Sequence, residues 1–225
     1  MCRIFIVILC VFWCSLTQAN DYGIAQRAMK TPDNVSNSVH SLTRYLIEPY
    51  DNDYDKLKVI AYWIASHIAY DSYKFNNGQV NRKEAQLEYD VLKARTGVCG
   101  DFAQLFTDMA RVAGIKAQYV SGYVVENQDR LKRSYRIKDM PEVGHVWNEV
   151  EIDKRKFFVD TTFMSGASIG NDGRRPTTFR HKRDLRKRKC QNVVNENIND
   201  FYFDFTPKQE LQKYHRVHIM DKYVR

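Results

Sequence analysis

The hydrophobic periodicity of this chain changes at Gly114, and that change constrains the fold more than any other feature. From Cys99 onward, apolar residues recur at three- and four-residue steps, which predicts a helix that ends at Gly114. Beyond Gly114 the pattern is extended, and three runs predict β-strands: Ala117–Val125, His145–Ile152 and Lys156–Phe163. We therefore predict an α+β fold in which N-terminal helices, including the helix that begins at Cys99, pack on an antiparallel β-sheet.

Three further helices are predicted before Cys99. A weak helical pattern follows Thr31-Pro32-Asp33 and continues to Ile47. A stronger pattern over residues 54–70 places an apolar stripe along one face, which predicts an amphipathic helix that faces the core. A short helix is predicted over residues 84–95.

The composition excludes several classes of protein. The chain has 225 residues, of which 44% are hydrophobic and 28% charged, with only ten Gly and five Pro. These values exclude collagen-like, linker-like and wholly disordered polypeptides. Because a chain of roughly 200 residues can bury about 70% of its unfolded surface around one core, we predict one main domain.

The N-terminus has the features of a secretory signal. An apolar run, Ile4–Cys14, follows a single Arg3 and is shorter than the roughly 20 residues that a membrane span needs. Small residues at Thr17 and Ala19 predict cleavage after Ala19, so residues 1–19 are interpreted as a cleaved signal peptide. A secreted or periplasmic location is therefore expected, with an uncleaved anchor as the alternative.

Cys99 is the candidate nucleophile. Cleavage after Ala19 leaves Cys99 and Cys190 as the cysteines of the mature chain, too few for a disulfide scaffold. A cysteine at a helix N-terminus has its thiolate stabilised by unpaired backbone N–H groups and by the helix dipole. The same N–H groups can bind the oxyanion that forms when the sulfur attacks a carbonyl carbon.

The predicted hairpin supplies a base and a group to orient it. If Asp153 and Lys154 form a two-residue turn, Trp147 lies opposite Asp160, and His145 shares the face of Asp160 as a diagonal neighbour. A contact between the imidazole and the carboxylate then becomes feasible. Each residue taken singly also fits a structural role, but the order Cys, His, Asp on a helix and two strands is the one that a thiol triad requires.

These motifs resemble the transglutaminase-like superfamily. The segments that carry the resemblance are Thr96–Phe106, Ala110–Ile115, Val120–Val124, Gly144–Val150 and Phe158–Phe163. Within the superfamily, the closing segment Asn199–Pro207, with Glu210 and His215, is similar to that of kyphoscoliosis peptidase-like proteins. The resemblance implies a papain-like core in which Cys99 is the nucleophile, His145 the general base and acid, and Asp160 the residue that orients His145.

The resemblance also implies the reaction class. Cys99 would form a thioester with a protein or peptide amide; water would then release the acid, as in a cysteine peptidase or amidase. Transfer to an amine by a transglutaminase, deamidation, and a catalytically inactive binding module are the alternatives. No cofactor or metal is expected. Gln86 and Tyr89 are candidates for the second oxyanion donor.

The resemblance divides the chain into regions. We assign residues 20–53 to an N-terminal helical extension and residues 54–225 to the catalytic domain, with a basic insertion at 166–197. The basic part of the insertion, Arg174–Lys189, is read as a solvated surface loop, with contact to an anionic surface rather than to nucleic acid as the alternative. His215 and His218 have no zinc-site spacing and are predicted to be surface histidines.

Overall fold

The computed structural model describes residues 21–76, 88–126, 144–167, 194–214 and 216–220. The helices are α1 (21–29), α2 (Val39–Ile47), α3 (Asp53–His67), α4 (Ser72–Asn76), α5 (Glu88–Ala94), α6 (Cys99–Val112), α7 (Thr161–Met164) and α8 (Pro207–Tyr214). The strands are β1 (Ala69–Tyr70), β2 (Thr96–Gly97), β3 (Lys116–Glu126), β4 (Gly144–Ile152), β5 (Arg155–Val159), β6 (Phe203–Phe205) and β7 (Arg216–Met220). The predicted α+β class is confirmed.

The main sheet is antiparallel and has five strands in the order β6-β5-β4-β3-β7. A separate two-stranded parallel sheet pairs β1 with β2, and β2 lies directly before α6 in the chain. The helix α6 packs against α2, α3, β3 and β4, so it lies between the other helices and the sheet. This position makes α6 the central element of the core.

The helix α3 is more buried than its sequence pattern predicts. Asn52 caps its N-terminus, where Oδ1 accepts the Asp55 N–H at 2.8 Å, and residues 57–67 are all buried. The pattern predicted one buried face. The other faces are covered because α2, α6 and α7 pack around the helix, and Asn195 and Asp200 form hydrogen bonds with it. Lys58, the buried cation of α3, reaches Asp21 Oδ1 at 2.6 Å.

The predicted β4–β5 hairpin is confirmed. Asp153 and Lys154 form its two-residue turn with φ of 50° and 66°, the positive values that a type I′ turn requires. Asn148 pairs with Val159, so the predicted register is observed. The third predicted strand, Lys156–Phe163, is too long: it ends at Val159. Its last residues form α7 instead, because the Asp160 Oδ1 accepts the Phe163 N–H at 2.9 Å and caps that helix.

Several sequence predictions fall on residues that are not described. These are the signal peptide at 1–19, the basic residues Arg174–Lys189, Cys190 and Gln86, as well as the Tyr89 side chain. The end of the predicted insertion, residues 194–197, is described, and it contacts α3. Asn195 is buried, and its backbone N–H donates to the Ser66 carbonyl at 2.8 Å. A membrane-spanning helix, which would need a long apolar stretch, is not found in the described part of the chain.

Candidate active site

Cys99 is the first residue of α6 and is buried, with 7% of its surface exposed. In the described part of the chain it is not in a disulfide. The N-cap residue, Val98, is extended, and its apolar side chain offers no acceptor to the backbone N–H groups of the first turn. These N–H groups and the helix dipole favour an anionic sulfur at Cys99.

The entry of the chain into α6 is fixed by Asp101. Its Oδ2 accepts the Val98 N–H at 2.9 Å and lies 3.6 Å from Lys74 Nζ. A Cβ at Gly97 would lie 2.7 Å from the Asp101 Cβ, closer than real Cβ contacts allow, so glycine is required there. The position of Cys99, between Val98 and Asp101, follows from these contacts.

His145 and Asp160 form a buried pair. The His145 Nε2–H donates to Asp160 Oδ2 at 2.5 Å, and both side chains are fully buried. The ring of His145 also stacks on Phe163, with 4.7 Å between ring centroids. Since the other Asp160 oxygen caps α7, both ends of the carboxylate are held, and the orientation of the imidazole is defined.

The fold directs the N-terminus of α6 toward the start of β4. The Asn148 Nδ2 of β4 donates to the Ala103 carbonyl at 3.0 Å and to Thr107 Oγ1 at 2.9 Å. The strand that follows α6 starts beside the end of β4, so the C-terminus of α6 lies at that end. Cys99 therefore lies toward the end of β4 that carries His145. Of the three predicted site residues, His145 and Asp160 are seen in direct contact.

His218 is an additional buried member of this site, and its assignment to the surface was wrong. It is 2% exposed, and its Nε2 lies 2.9 Å from Asp160 Oδ2. Its Nδ1 lies 2.7 Å from Glu210 Oε2, which also accepts the His218 backbone N–H at 2.9 Å. His218 points inward because it pairs with Val124 of β3, on the sheet face shared with His145. His215 lies outside the described residues.

The electrostatics of the cluster favour ionised groups. Burial by itself raises the pKa of the Asp160 carboxyl, but the charges and hydrogen bonds of His145 and His218 outweigh it and hold that pKa well below its usual range. Burial by itself lowers the pKa of His218, but hydrogen bonds to Asp160 and Glu210 and their charges raise it above the ordinary value. The electrostatics therefore favour an ionised Asp160 carboxylate and a protonated His218 ring.

The donor atoms of His145, Asp160 and His218 all lie within 4.8 Å of one another, a separation at which such groups can also bind a metal ion. Donors that share one tetrahedral zinc ion stand about 3.3 Å apart. Here the two nitrogens lie 2.5 and 2.9 Å from the same Asp160 oxygen, which are hydrogen-bond distances. The observed arrangement is a chain of hydrogen bonds.

Tyr119 of β3 is a neighbour of Cys99 that the sequence pattern did not indicate. Its side chain is half-exposed, and its hydroxyl lies 3.4 Å from the position that a Cβ at Gly100 would take. Partial burial raises the pKa of Tyr119, and the negative charges of Cys99 and Asp101 add to this effect. Tyr119 therefore lies at the solvent-facing side of the helix terminus that carries Cys99.

We expect the free energy of unfolding to fall on both sides of about pH 5–6 through Asp160 and His218. Below that range the unfolded chain takes up a proton at Asp160 that the folded protein does not, so stability falls as pH falls. Above about pH 6.5 the unfolded chain loses a proton from His218 that the folded protein keeps, so stability falls as pH rises.

Denaturant unfolding between pH 3 and 9 measures this pH dependence, with His40→Gln, at an exposed position of α2, as the matched control. His218→Gln should remove the part of the alkaline decline that His218 contributes. Equal slopes for wild type and His218→Gln above pH 6.5 would contradict the assignment.

Comparison with known proteins identifies relatives over about half of the chain. The kyphoscoliosis peptidase of Mus musculus is 30% identical over 132 residues, which cover 59% of this chain and 19% of that protein. The kyphoscoliosis peptidase of Homo sapiens is 30% identical over 121 residues, which cover 54% and 17%. The chain thus spans less than a fifth of the length of these curated relatives.

A solved structure of a TGase is similar with a TM-score of 0.41 and 19% identity, covering 58% of this chain and 31% of that one. The model of the transglutaminase-like superfamily matches residues 40–161, more than half of the chain. That range includes Cys99, His145 and Asp160, and the match confirms the resemblance inferred from the sequence. The chain therefore belongs to the transglutaminase-like superfamily.

Proposed function

We propose that this chain is a thiol enzyme that hydrolyses amide bonds of proteins or peptides, as a cysteine peptidase or amidase. Cys99 is the nucleophile, His145 the general base and acid, and Asp160 the residue that orients His145. The observation that carries the proposal is the buried 2.5 Å contact between His145 and Asp160. Membership in the superfamily and the helix-terminal position of Cys99 support it.

The first half of the reaction transfers the acyl group to sulfur. Since Nε2 of His145 faces Asp160, the proposal assigns the Cys99 thiol proton to Nδ1. The thiolate attacks the carbonyl carbon, and the oxyanion accepts hydrogen bonds from the backbone N–H groups at the start of α6. His145 then gives its proton to the leaving nitrogen as the C–N bond breaks, which produces a thioester on Cys99.

The second half determines the product. In hydrolysis, His145 takes a proton from water while the water oxygen attacks the thioester carbon. The C–S bond then breaks, the carboxylic acid is released, and His145 returns the proton to the Cys99 sulfur. Transfer to an amine would follow the same course with nitrogen as the attacking atom. The proposal requires the sulfur and His145 Nδ1 to meet at the start of β4, where the α6 terminus is directed.

Alkylation by iodoacetamide tests the proposal. We expect Cys99 in the folded protein to react at pH 6 roughly tenfold or more faster than a thiol of ordinary pKa, because its thiolate is stabilised. Mass spectrometry locates the modified cysteine, and His145→Gln should lower the rate toward that of an ordinary thiol. Alkylation of wild-type Cys99 no faster than that of an unperturbed thiol would refute activation by His145.

A second arm separates hydrolysis from transfer. The protein is incubated with a glutamine-containing protein and a labelled amine, and both peptide cleavage and amine incorporation are followed. Cleavage or ammonia release without incorporation supports the hydrolase. Incorporation that depends on Cys99 would instead establish a transglutaminase.

A further inference from the structure

We propose that His218 and Glu210 are positioning residues for the site, and that His218 is a buried cation that holds the Asp160 carboxylate against His145. Its catalytic consequence rests on the proposed function. The charge state of His218 does not, because it follows from contacts that do not involve Cys99.

The hydrogen-bond pattern defines the charge of His218. One ring nitrogen lies 2.9 Å from Asp160 Oδ2 and the other lies 2.7 Å from Glu210 Oε2. An ionised carboxylate only accepts hydrogen bonds, so each ring nitrogen must carry a hydrogen to bind its partner. A ring with hydrogens on both nitrogens is an imidazolium cation.

The surroundings of His218 stabilise a positive charge on its ring. Among the described residues, the ionisable groups that face it are His145 on β4, Asp160 after β5, Glu210 on α8 and Tyr202 before β6. The rings of Trp147, Phe163 and Phe205 enclose the remaining sides, with centroids 4.7 to 5.4 Å away. In this apolar enclosure two carboxylates would repel strongly, and a cation between them removes that cost.

Glu210 completes the arrangement from a separate element. The same Oε2 atom that binds the His218 ring also accepts the His218 backbone N–H at 2.9 Å. This double contact ties α8 to β7, an edge strand of the main sheet. The elements α8 and β7 therefore hold Asp160 through Oδ2, the same oxygen that binds His145.

The charge of His218 has a consequence for the thiolate. A positive charge bound to Asp160 adds to the positive potential that favours an anion at Cys99. Replacing His218 with glutamine keeps an N–H donor for Asp160 but removes the charge. Thiolate formation then needs a higher pH.

NMR of histidine-labelled wild-type protein tests the charge directly. We expect both ring nitrogens of His218 to carry hydrogens at pH 7, with the ring losing its proton above the ordinary histidine pKa of about 6.5. A neutral His218 ring at pH 7 would overturn the proposal. Glu210→Gln should lower the pH at which His218 loses its proton, and an unchanged titration would also overturn it.

The pH profile of Cys99 alkylation tests the effect on the site. For His218→Gln we expect the midpoint to rise by about half a pH unit to one unit, which lowers the alkylation rate below the midpoint roughly three- to tenfold. His40→Gln should leave both unchanged. A folded His218→Gln protein whose profile superimposes on that of wild type would overturn the positioning role.

The two proposals fail in different ways. If wild-type Cys99 reacts as an ordinary thiol, the proposed function fails, whatever the NMR shows. If Cys99 is activated but His218 is neutral, only the inference about His218 fails. If His218→Gln does not fold, the NMR titrations of wild type and of Glu210→Gln decide the question.

Discussion

Replacing Cys99 with alanine is expected to abolish cleavage of amide substrates, with kcat lower by roughly 10⁵-fold or more. The reason is that the proposed reaction forms its thioester on this sulfur, and no neighbouring group can replace a covalent nucleophile. The fold should survive because the change removes one atom from the first residue of α6, and the unfolding free energy should change by about 1 kcal/mol. Steady-state kinetics and thermal denaturation measure both effects.

Cys190→Ala is the matched control for Cys99→Ala. It removes the other cysteine of the predicted mature chain and should retain the activity of wild type. Retained activity in Cys99→Ala would contradict the enzymatic proposal. It would favour the alternative in which the protein uses a transglutaminase-like fold as a binding module.

Asp160→Asn is expected to lower kcat/KM by roughly 10³- to 10⁴-fold, as the loss of the carboxylate does in related triads. The carboxylate of Asp160 accepts the Nε2–H of His145. The asparagine NH₂ would donate toward the same nitrogen, so the imidazole hydrogen would move to Nδ1. An Nδ1 that carries a hydrogen cannot accept the thiol proton.

The same substitution should also destabilise the protein, by about 3 kcal/mol. Asp160 is fully buried and binds His145 and His218 with one oxygen, so its replacement leaves two ring nitrogens facing an uncharged amide. Asp204→Asn is the control, because Asp204 pairs with Arg155 at the surface and such pairs contribute about 1 kcal/mol or less. Equal losses of stability and activity in both variants would contradict the assigned role of Asp160.

Local sequence signals predicted the parts of the site that depend on neighbouring residues. The helix that begins at Cys99 follows from its own periodicity and from Gly114, whose φ of 77° ends it. The β4–β5 register follows from a two-residue turn at Asp153 and Lys154. In both cases the information lies within about twenty residues of the element that it specifies.

The same local rules were insufficient at two places. Lys156–Phe163 reads as one strand, but the strand ends at Val159 because Asp160 accepts a hydrogen bond from the Phe163 N–H, three positions later, and caps α7. His218 reads as a surface histidine, yet its pairing with β3 turns it inward toward Asp160. The partners that decide the position of His218 lie far away in sequence.

The order of residues in the sequence was enough to predict Cys99, His145 and Asp160 as site residues, because helix periodicity and hairpin geometry act over short distances. Only the folded chain decided that a second imidazole and a second carboxylate, from β7 and α8, join them. His218 lies 58 positions from Asp160 in the sequence, and strand pairing with β3 and burial bring it inside. Local sequence patterns do not predict contacts between residues so far apart in the chain. The charges that surround Asp160 are therefore determined by the tertiary structure.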